Sequence, residues 1–338
     1  MEVYCQGCAG CCIDWRPLLE DDQRPTQPTR TKGHDETAVD EADENGHEHE
    51  RRLRRRPAID DVYNLVPLTR DEIRAFLETG LGDVLIPRLW EADAVDDAVT
   101  VDGYDLAAIE GRPTFFVGLR KPPKPVAPFG RTTRAWLPTC VFLDPDTLQC
   151  RLHEDSRYPD ECAAYPAHNV ALEQETECER VERAVGGTRI RRDETAAGRG
   201  ITVTVDADPT DGLLLGRQAI GQKLFVHPNP EALEGRIDRL VAGEATDEDR
   251  ATFVAIAAAS APGTLSHSEP HAERARTQVL EADSWAGRAI REWERLEAAD
   301  GDAPGTAVSS AIDGSFEVAD GAPPTPGWDA LENEEAGG

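Results

Sequence analysis

Cysteine placement constrains this chain more than any other sequence feature. Eight cysteines occur in 338 residues, and none lies beyond residue 178. They form two groups, which are Cys5, Cys8, Cys11 and Cys12, and then Cys140, Cys150, Cys162 and Cys178. A random scatter would not leave the carboxy-terminal half empty, so the pattern indicates that the thiols act together.

The first group, CQGCAGCC, has the spacing of a metal-binding loop. A Cys-x-x-Cys step lets two thiolates reach one ion, because the two intervening residues form a tight turn. Gly7 and Gly10 lie inside these steps, where the backbone must curl without Cβ clashes. The adjacent side chains of Cys11 and Cys12 should diverge toward opposite sides. This arrangement favours two adjacent metal positions, or a multinuclear centre, over one simple four-thiolate site.

The second group also has a pattern suited to ligation. CVFLDPDTLQC reads as a β-hairpin that turns at Asp144-Pro145-Asp146, which brings Cys140 close to Cys150. The chain then turns back through Pro159 and delivers Cys162. Cys178 follows in a charged stretch with helical character.

Thiolate ligands suit zinc and iron–sulfur clusters and suit calcium or magnesium poorly. A four-cysteine zinc site is the plainest structural option. The first group partly echoes the bacterial ferredoxin spacing but departs from it at the fourth cysteine, and other iron–sulfur geometries stay open. Disulfides and buried unligated thiols are the competing interpretations. His153 and His168 are alternative ligands or neighbours of the metal ligands.

The charge argues against one class of partner. The net charge is −29, and only four of the 36 basic residues are lysines. An acidic, lysine-poor surface is typical of proteins from a high-salt cytoplasm, where salt screens self-repulsion. Binding to nucleic acid needs clustered Lys and Arg, so we do not expect it. No stretch approaches 18 apolar residues and no secretory signal is visible, which predicts a cytoplasmic protein without a membrane partner, in which disulfides are uncommon.

The remaining patterns divide the chain into regions. The sequence predicts a cysteine-cluster metal-binding domain over residues 1–20 and 57–181, interrupted by a disordered charged insertion over 21–56. A mainly helical region follows over 200–296, and a disordered acidic tail over 297–338. Individual elements include a helix over 69–80 with Thr69 and Glu72 as a capping box, strands over 114–120 and 201–208, and helices over 229–243, 247–259 and 270–296.

The combined motifs resemble the YkgJ-like cysteine-cluster family, which is named for its Cys-x-x-Cys-x-x-Cys-Cys signature. The resemblance covers roughly residues 1–20 and 57–181. Its framework positions here are Phe142, Leu143, Arg157, Pro159, Tyr165 and Pro166. The resemblance implies a zinc- or iron-chelating domain with all eight cysteines as ligands. A related group, the flagellin lysine N-methylases, carries a similar cluster and acts on protein lysines.

These observations predict an α+β fold with a small, loop-rich cysteine-cluster core that contains a β-hairpin and is surrounded by helices, plus a carboxy-terminal helical region. The first functional hypothesis is a metal-binding protein that chelates zinc or iron, including iron in an iron–sulfur cluster, through the eight cysteines. The second is an iron–sulfur-dependent redox or protein-modifying enzyme. The third is an interaction module in which structural zinc presents the helices to a protein partner. The sequence leaves open whether the chain is an enzyme.

Overall fold

The fold was analysed in a computed structural model of the chain. The structure describes residues 2–19, 59, 63–92, 97–153, 155–171, 173–191, 220–261, 264–301, 304–305, 312 and 316–335. The expected disordered insertion over 21–56 and the expected strand over 201–208 lie outside the described residues.

The described residues combine antiparallel strands with helices, so the fold is α+β. The strands are β1 (Glu2–Val3), β2 (Leu85–Arg88), β3 (Ala98–Val101), β4 (Tyr104–Ile109), β5 (Arg112–Leu119), β6 (Pro123–Val126), β7 (Ala135–Pro138), β8 (Ile190–Arg191) and β9 (Phe225–Val226). The α-helices are α1 (Arg70–Glu78), α2 (Asp160–Ala164), α3 (Ala167–Ala171), α4 (Glu177–Val185), α5 (Arg236–Val241), α6 (Asp247–Ala259), α7 (Glu269–Leu280), α8 (Trp285–Asp300), α9 (Phe316–Ala319) and α10 (Trp328–Glu335).

The central sheet has the strand order β2-β5-β4-β3, and β9 pairs with β5. Leu85 pairs with Leu119 across β2 and β5, and Phe115 pairs with Phe225 across β5 and β9. The expected strand at 114–120 is confirmed as β5. Two smaller ribbons join β6 to β7 and β1 to β8. The proline-rich connector KPPKP forms much of β6, where the edge of a two-stranded ribbon tolerates residues without an N–H.

Local sequence signals set the ends of several helices. The Thr69 hydroxyl accepts a hydrogen bond from the Glu72 backbone, and the Glu72 carboxylate accepts from the Thr69 backbone, so the predicted capping box of α1 is confirmed. The predicted helix over 247–259 is confirmed as α6, with a capping box at Thr246 and Asp249.

Two predicted helices are broken in the structure. The helix expected over 229–243 is a 3-10 turn at Pro230–Leu233 followed by α5, because Gly235 between them has a φ of 71°. The helix expected over 270–296 is split into α7 and α8. The buried Asp83 carboxylate causes the second break, since it accepts hydrogen bonds from the Ser284 backbone at 2.9 Å and from its hydroxyl at 2.6 Å. Ser284 then caps α8.

One hydrophobic core joins regions that the sequence analysis separates. Residues of α1 and the sheet, such as Phe76 and Phe115, belong to the same buried cluster as Phe253 of α6 and Ile290 of α8. The regions 57–181 and 200–296 therefore share a core among the described residues. The sequence pattern could show that each region was amphipathic but not that the two apolar faces cover each other.

The expected disordered tail over 297–338 differs from the structure where the structure describes it. Helix α8 continues to Asp300, and residues 316–335 contain α9 and α10. The anchor is Glu317, whose carboxylate is 2.8 Å from the Lys124 ammonium and 2.9 Å from the Arg151 guanidinium. All three side chains are almost completely buried. The Trp293 indole also donates to Glu317 at 2.7 Å.

This buried ion network fixes the tail against the segment that carries Cys140 and Cys150. Lys124 donates to the carbonyls of Val141 and Leu143 at 2.7 and 2.8 Å. Arg151 donates to the Pro323 carbonyl at 2.7 Å, so the tail runs across the same segment. Composition alone does not reveal this anchor, because Glu317 is one of many acidic residues in the chain. Only the fold shows that its partners are two buried cations distant in sequence.

Within the part of the chain that the structure describes, no helix combines the length and the apolar character needed to cross a membrane.

Replacing Glu317 tests the anchor. We expect Glu317→Gln to lower the free energy of unfolding by about 3 kcal/mol, because it leaves the buried Lys124 without a counter-charge and leaves Arg151 with Asp144 alone, at 3.0 Å. Urea unfolding at fixed high salt measures the change. Glu292→Gln is the matched control, since Glu292 pairs with Arg295 on an exposed surface that water screens. Equal unfolding midpoints for the two variants would contradict a stabilising role of the Glu317 network.

Candidate metal centre

The loop that carries the first four cysteines consists of two consecutive tight turns. The Cys8 backbone donates to the Cys5 carbonyl at 2.9 Å, and the Cys12 backbone donates to the Ala9 carbonyl at 2.9 Å. Gly7 and Ala9 have φ values of 63° and 52°, in the left-handed region that allows such a curl. The predicted role of Gly7 in bending this loop is confirmed.

Backbone contacts fix this loop against the rest of the molecule. The Gly7 carbonyl accepts from the Phe129 backbone at 2.7 Å, and the Cys12 carbonyl accepts from the Cys140 backbone at 2.8 Å. The Asn64 side chain donates to the Gly10 carbonyl at 2.8 Å. This backbone hydrogen bond from Cys140 to Cys12 directly joins the two cysteine groups of the sequence.

The predicted hairpin over 140–152 is present as a tight loop. One isolated β-bridge joins its two arms, and neither arm is a regular strand. Leu143 and Cys150 form an isolated antiparallel bridge, and the Arg151 backbone donates to the Phe142 carbonyl at 2.8 Å. The Asp144 side chain accepts from the Asp146 backbone at 2.9 Å, which shapes the predicted turn. The Leu152 backbone lies 3.4 Å from the Cys150 sulfur and donates to it.

Two short helices carry the last two cysteines. Cys162 lies in α2, whose first residue Asp160 donates through its backbone to the Glu72 carboxylate at 2.8 Å. Glu72 therefore links the start of α1 to the Cys162 segment. Cys178 lies in the first turn of α4, behind a capping box of Thr176 and Glu179. The predicted helical environment of Cys178 is confirmed.

A buried carboxylate lies next to Cys178. Glu177 accepts a hydrogen bond from the Trp15 indole and another from the Tyr63 hydroxyl at 2.9 Å. Arg180 is its ion-pair partner at 3.2 Å. Burial raises the pKa of Glu177, and the hydrogen bonds from Trp15 and Tyr63 oppose this rise. The network joins the amino-terminal segment to α4.

The thiols of Cys5, Cys8, Cys11 and Cys178 influence one another. Burial raises the pKa of Cys5 to about 11, and the neighbouring Cys8 thiol adds to the rise. Burial raises the pKa of Cys178 to about 12, with further contributions from Cys5 and Cys8. Burial raises the pKa of Cys11 well above its usual range, and the adjacent Cys12 thiol adds most to the rise, followed by Cys178, Cys5 and Cys8. We call these four residues the amino-terminal set.

Cys12, Cys140, Cys150 and Cys162 form a second group of neighbours, the hairpin set. Burial raises the pKa of Cys12 well above its usual range, and the Cys140, Cys150 and Cys162 thiols raise it further. Burial likewise raises the pKa of Cys162, with contributions from Cys140 and Cys150. For Cys150 burial raises the pKa to about 12, and Cys140 adds to the rise. Each set combines cysteines from both sequence groups.

Cationic side chains lie beside both sets. Lys121 is partly buried next to Cys12 and donates to the Tyr63 carbonyl at 2.7 Å. Burial lowers the pKa of Lys121, while the Cys140 and Cys12 thiols oppose this change. Burial raises the pKa of Cys8, and the nearby positive charge of Arg189 opposes this rise. These cations favour the thiolate forms that metal ligation requires.

All eight cysteines are free thiols. Within the described ranges, no group of three or more His, Cys, Asp or Glu side chains is already arranged to hold a metal ion. The thiols are therefore electrostatic neighbours that would have to approach one another further to ligate an ion. Their chemistry fits zinc or iron, since a soft divalent ion would displace the protons that burial now holds on the sulfurs.

The two histidines considered as alternative ligands have other surroundings. The ring of His153 is exposed and lies 5.3 Å from the Tyr158 ring, while its backbone donates to the Cys150 carbonyl at 3.2 Å. The His168 Nε2 is buried without a hydrogen-bond partner among the described residues. We therefore keep both histidines outside the ligand sets considered below.

Sequence reasoning missed the residues that support the thiols, namely Glu72, Lys121, Glu177 and Arg189. Lys121 had one usable signal, because it is one of only four lysines in an arginine-rich chain. Glu72 was identified only as part of a helix cap. Glu177 and Arg189 had no distinguishing signal among many acidic and arginine residues.

Gly10 provides a test of how closely the loop packs on α4. A Cβ at Gly10 would lie 2.9 Å from Cγ2 of Val181 and 3.5 Å from the Cys8 sulfur. We expect Gly10→Ala to displace the loop and to destabilise the protein by about 1–2 kcal/mol through overpacking. Limited proteolysis of the amino-terminal segment should be faster in this variant.

Gly7→Asn is the matched control in the same loop. A Cβ added at Gly7 would meet open space, and asparagine tolerates the left-handed backbone of this position. Equal proteolysis rates for Gly10→Ala and wild type would show that the loop does not pack on α4 as described.

Comparison with known proteins gives one family assignment. The chain belongs to a family of unknown function, DUF7531, whose model matches residues 1–329. No curated protein and no solved structure matches the chain. The family description names no ligand or activity.

Proposed function

We propose that this member of the DUF7531 family is a metal-binding protein that chelates zinc or iron through its eight cysteines. The supporting observation is that the fold gathers all eight thiols from three separate parts of the chain. The amino-terminal loop, the 140–162 segment and the start of α4 contribute four, three and one cysteine respectively.

The grouping of so many buried and half-buried thiols needs a physical reason. A thiolate is costly in a low-dielectric region, and neighbouring thiolates repel one another. A divalent ion removes both penalties because it supplies positive charge and replaces the sulfur-bound protons. Tetrahedral zinc with four sulfur ligands at about 2.3 Å needs sulfur–sulfur separations of roughly 3.8 Å, so ligation would draw each set together.

The metal would tie the ends of the fold to its core. The amino-terminal loop is held by the short ribbon of β1 and β8. Backbone hydrogen bonds also hold it, such as the one that the Cys140 amide donates to the Cys12 carbonyl. The described loop has little regular structure of its own. Metal ligation across the loop, the hairpin and α4 would therefore contribute directly to folding stability.

Metal analysis of the purified protein tests the proposal. We expect protein that is isolated anaerobically at high salt to contain stoichiometric zinc or iron. Acid-labile sulfide together with visible absorption would identify an iron–sulfur centre, whereas colourless protein with zinc would identify simple thiolate ligation. Protein that contains no metal as isolated and takes up neither Zn²⁺ nor Fe²⁺ under reducing conditions would refute the proposal.

The raised thiol pKa values predict how affinity depends on pH. The cited shifts place the pKa of thiols such as Cys5 and Cys150 above 9.0, so the metal-free sulfurs hold protons at neutral pH. A metal ion must displace these protons, and affinity should therefore rise with pH from about 6 to about 9. The change should approach about tenfold per pH unit for each displaced proton.

Competition against a chromophoric chelator measures this dependence for zinc. The chelator alone, titrated at each pH, corrects for its own protonation. An affinity that stays constant over this range would contradict ligation by thiols that are protonated in the metal-free protein.

A further inference from the structure

We propose that the eight cysteines form two separate four-thiolate metal sites, each built from both cysteine groups of the sequence. One site is the amino-terminal set, Cys5, Cys8, Cys11 and Cys178. The other is the hairpin set, Cys12, Cys140, Cys150 and Cys162. This inference rests on the metal binding proposed above and specifies which thiols share an ion.

Backbone geometry supports the hairpin set. The Cys12 carbonyl accepts from the Cys140 backbone at 2.8 Å, so these two residues are in direct contact. The bridge between Leu143 and Cys150 folds the hairpin back toward Cys140. Cys162 is brought to the same place by α2, which Glu72 anchors through the Asp160 backbone. The mutual electrostatic influence of the Cys12, Cys150 and Cys162 thiols agrees with this placement.

Packing against α4 supports the amino-terminal set. The turn from Cys5 to Cys8 continues to Gly10, which packs closely on α4. A Cβ added at Gly10 would lie 2.9 Å from Cγ2 of Val181 and 3.5 Å from the Cys8 sulfur. Val181 lies three residues after Cys178, so both are on neighbouring positions of one helix face. Cys178 therefore faces the turn that carries Cys5 and Cys8.

The adjacent residues Cys11 and Cys12 divide the two sets. Cys12 is the thiol that influences its sequence neighbour Cys11 most, and the other thiols that influence Cys11 are Cys178, Cys5 and Cys8. Cys12 is influenced by Cys140, Cys150 and Cys162. Successive side chains on a turning backbone diverge, as the sequence analysis expects. Each side of this pair then has four sulfurs, which is the number that completes a tetrahedral zinc or iron site.

Each set also has its own partly buried cation. A divalent ion with four thiolates carries a net negative charge, so two adjacent sites repel each other and benefit from nearby positive charge. Lys121 lies beside Cys12 in the hairpin set, and Arg189 lies near Cys8 in the amino-terminal set. A cation therefore lies beside each proposed anionic centre.

Zinc stoichiometry in cysteine variants tests the partition. We use Zn²⁺ as the probe and count bound ions by native mass spectrometry after reconstitution of the full chain under reducing conditions. Wild type should bind two ions, and Cys178→Ser and Cys162→Ser should each bind one. The affinity lost at the altered site should exceed the roughly 10- to 100-fold that loss of an outer-shell partner causes.

Double variants give the sharper comparison. Cys5→Ser combined with Cys178→Ser removes two ligands of one proposed site and should still bind one ion. Cys162→Ser combined with Cys178→Ser removes one ligand from each site and should bind none tightly. Loss of both ions in a folded single variant, or in the folded first double variant, would show one shared cluster and overturn the partition.

A measurement on the unaltered chain guards against variants that fail to fold. Protein loaded with one Zn²⁺ per chain is treated with an alkylating reagent, and protected cysteines are mapped by mass spectrometry. Protection should follow the two sets, so that the members of a set are protected together. If Cys178 is protected together with Cys140 and Cys150, the partition is overturned but metal binding stands. If wild type binds no Zn²⁺, the proposed function itself is refuted.

Discussion

The grouping of eight thiols, two of them buried and six half-buried, is the constraint on which the rest of this structure depends. Sulfur atoms that are close together in a low-dielectric region cannot all ionise without a compensating charge. The pKa values of Cys11, Cys12 and Cys162 are raised well above the usual range by burial and by the other thiols. A protein that gathers thiols in this way remains proton-bound and inert unless cations replace the protons.

The surrounding structure serves to hold these thiols in place. Glu72 joins a helix cap to the Cys162 segment, and Glu177 joins the indole of Trp15 to the helix that carries Cys178. Glu317 forms buried ion pairs with Lys124 and Arg151, and Asp144 is a second partner of Arg151. These carboxylates each connect segments that are distant in sequence, so tertiary structure around the thiols depends on a few charged groups as well as on apolar packing.

Much of the local structure was predictable from sequence because its causes are local. The Thr69–Glu72 box determines where α1 begins, and the apolar run at 114–120 forms β5. Predictions failed where a distant partner decides the outcome. Asp83 breaks the long helix at Ser284, and Glu317 orders part of a tail that composition suggested was disordered. The supporting residues Lys121 and Arg189 acquire their roles only when the fold places them beside sulfur atoms.

Amide hydrogen exchange with and without metal tests the central claim most directly, namely that metal joins the amino-terminal loop, the hairpin and α4. The backbone amides of Cys8, Cys12 and Cys140 report on this junction, since each donates a hydrogen bond there. Strand β5 serves as the internal reference in the core. The account predicts that removing the metal under reducing conditions accelerates exchange at the three cysteine amides while β5 stays protected. Unchanged exchange at those amides, in protein shown to have lost its metal, would contradict it.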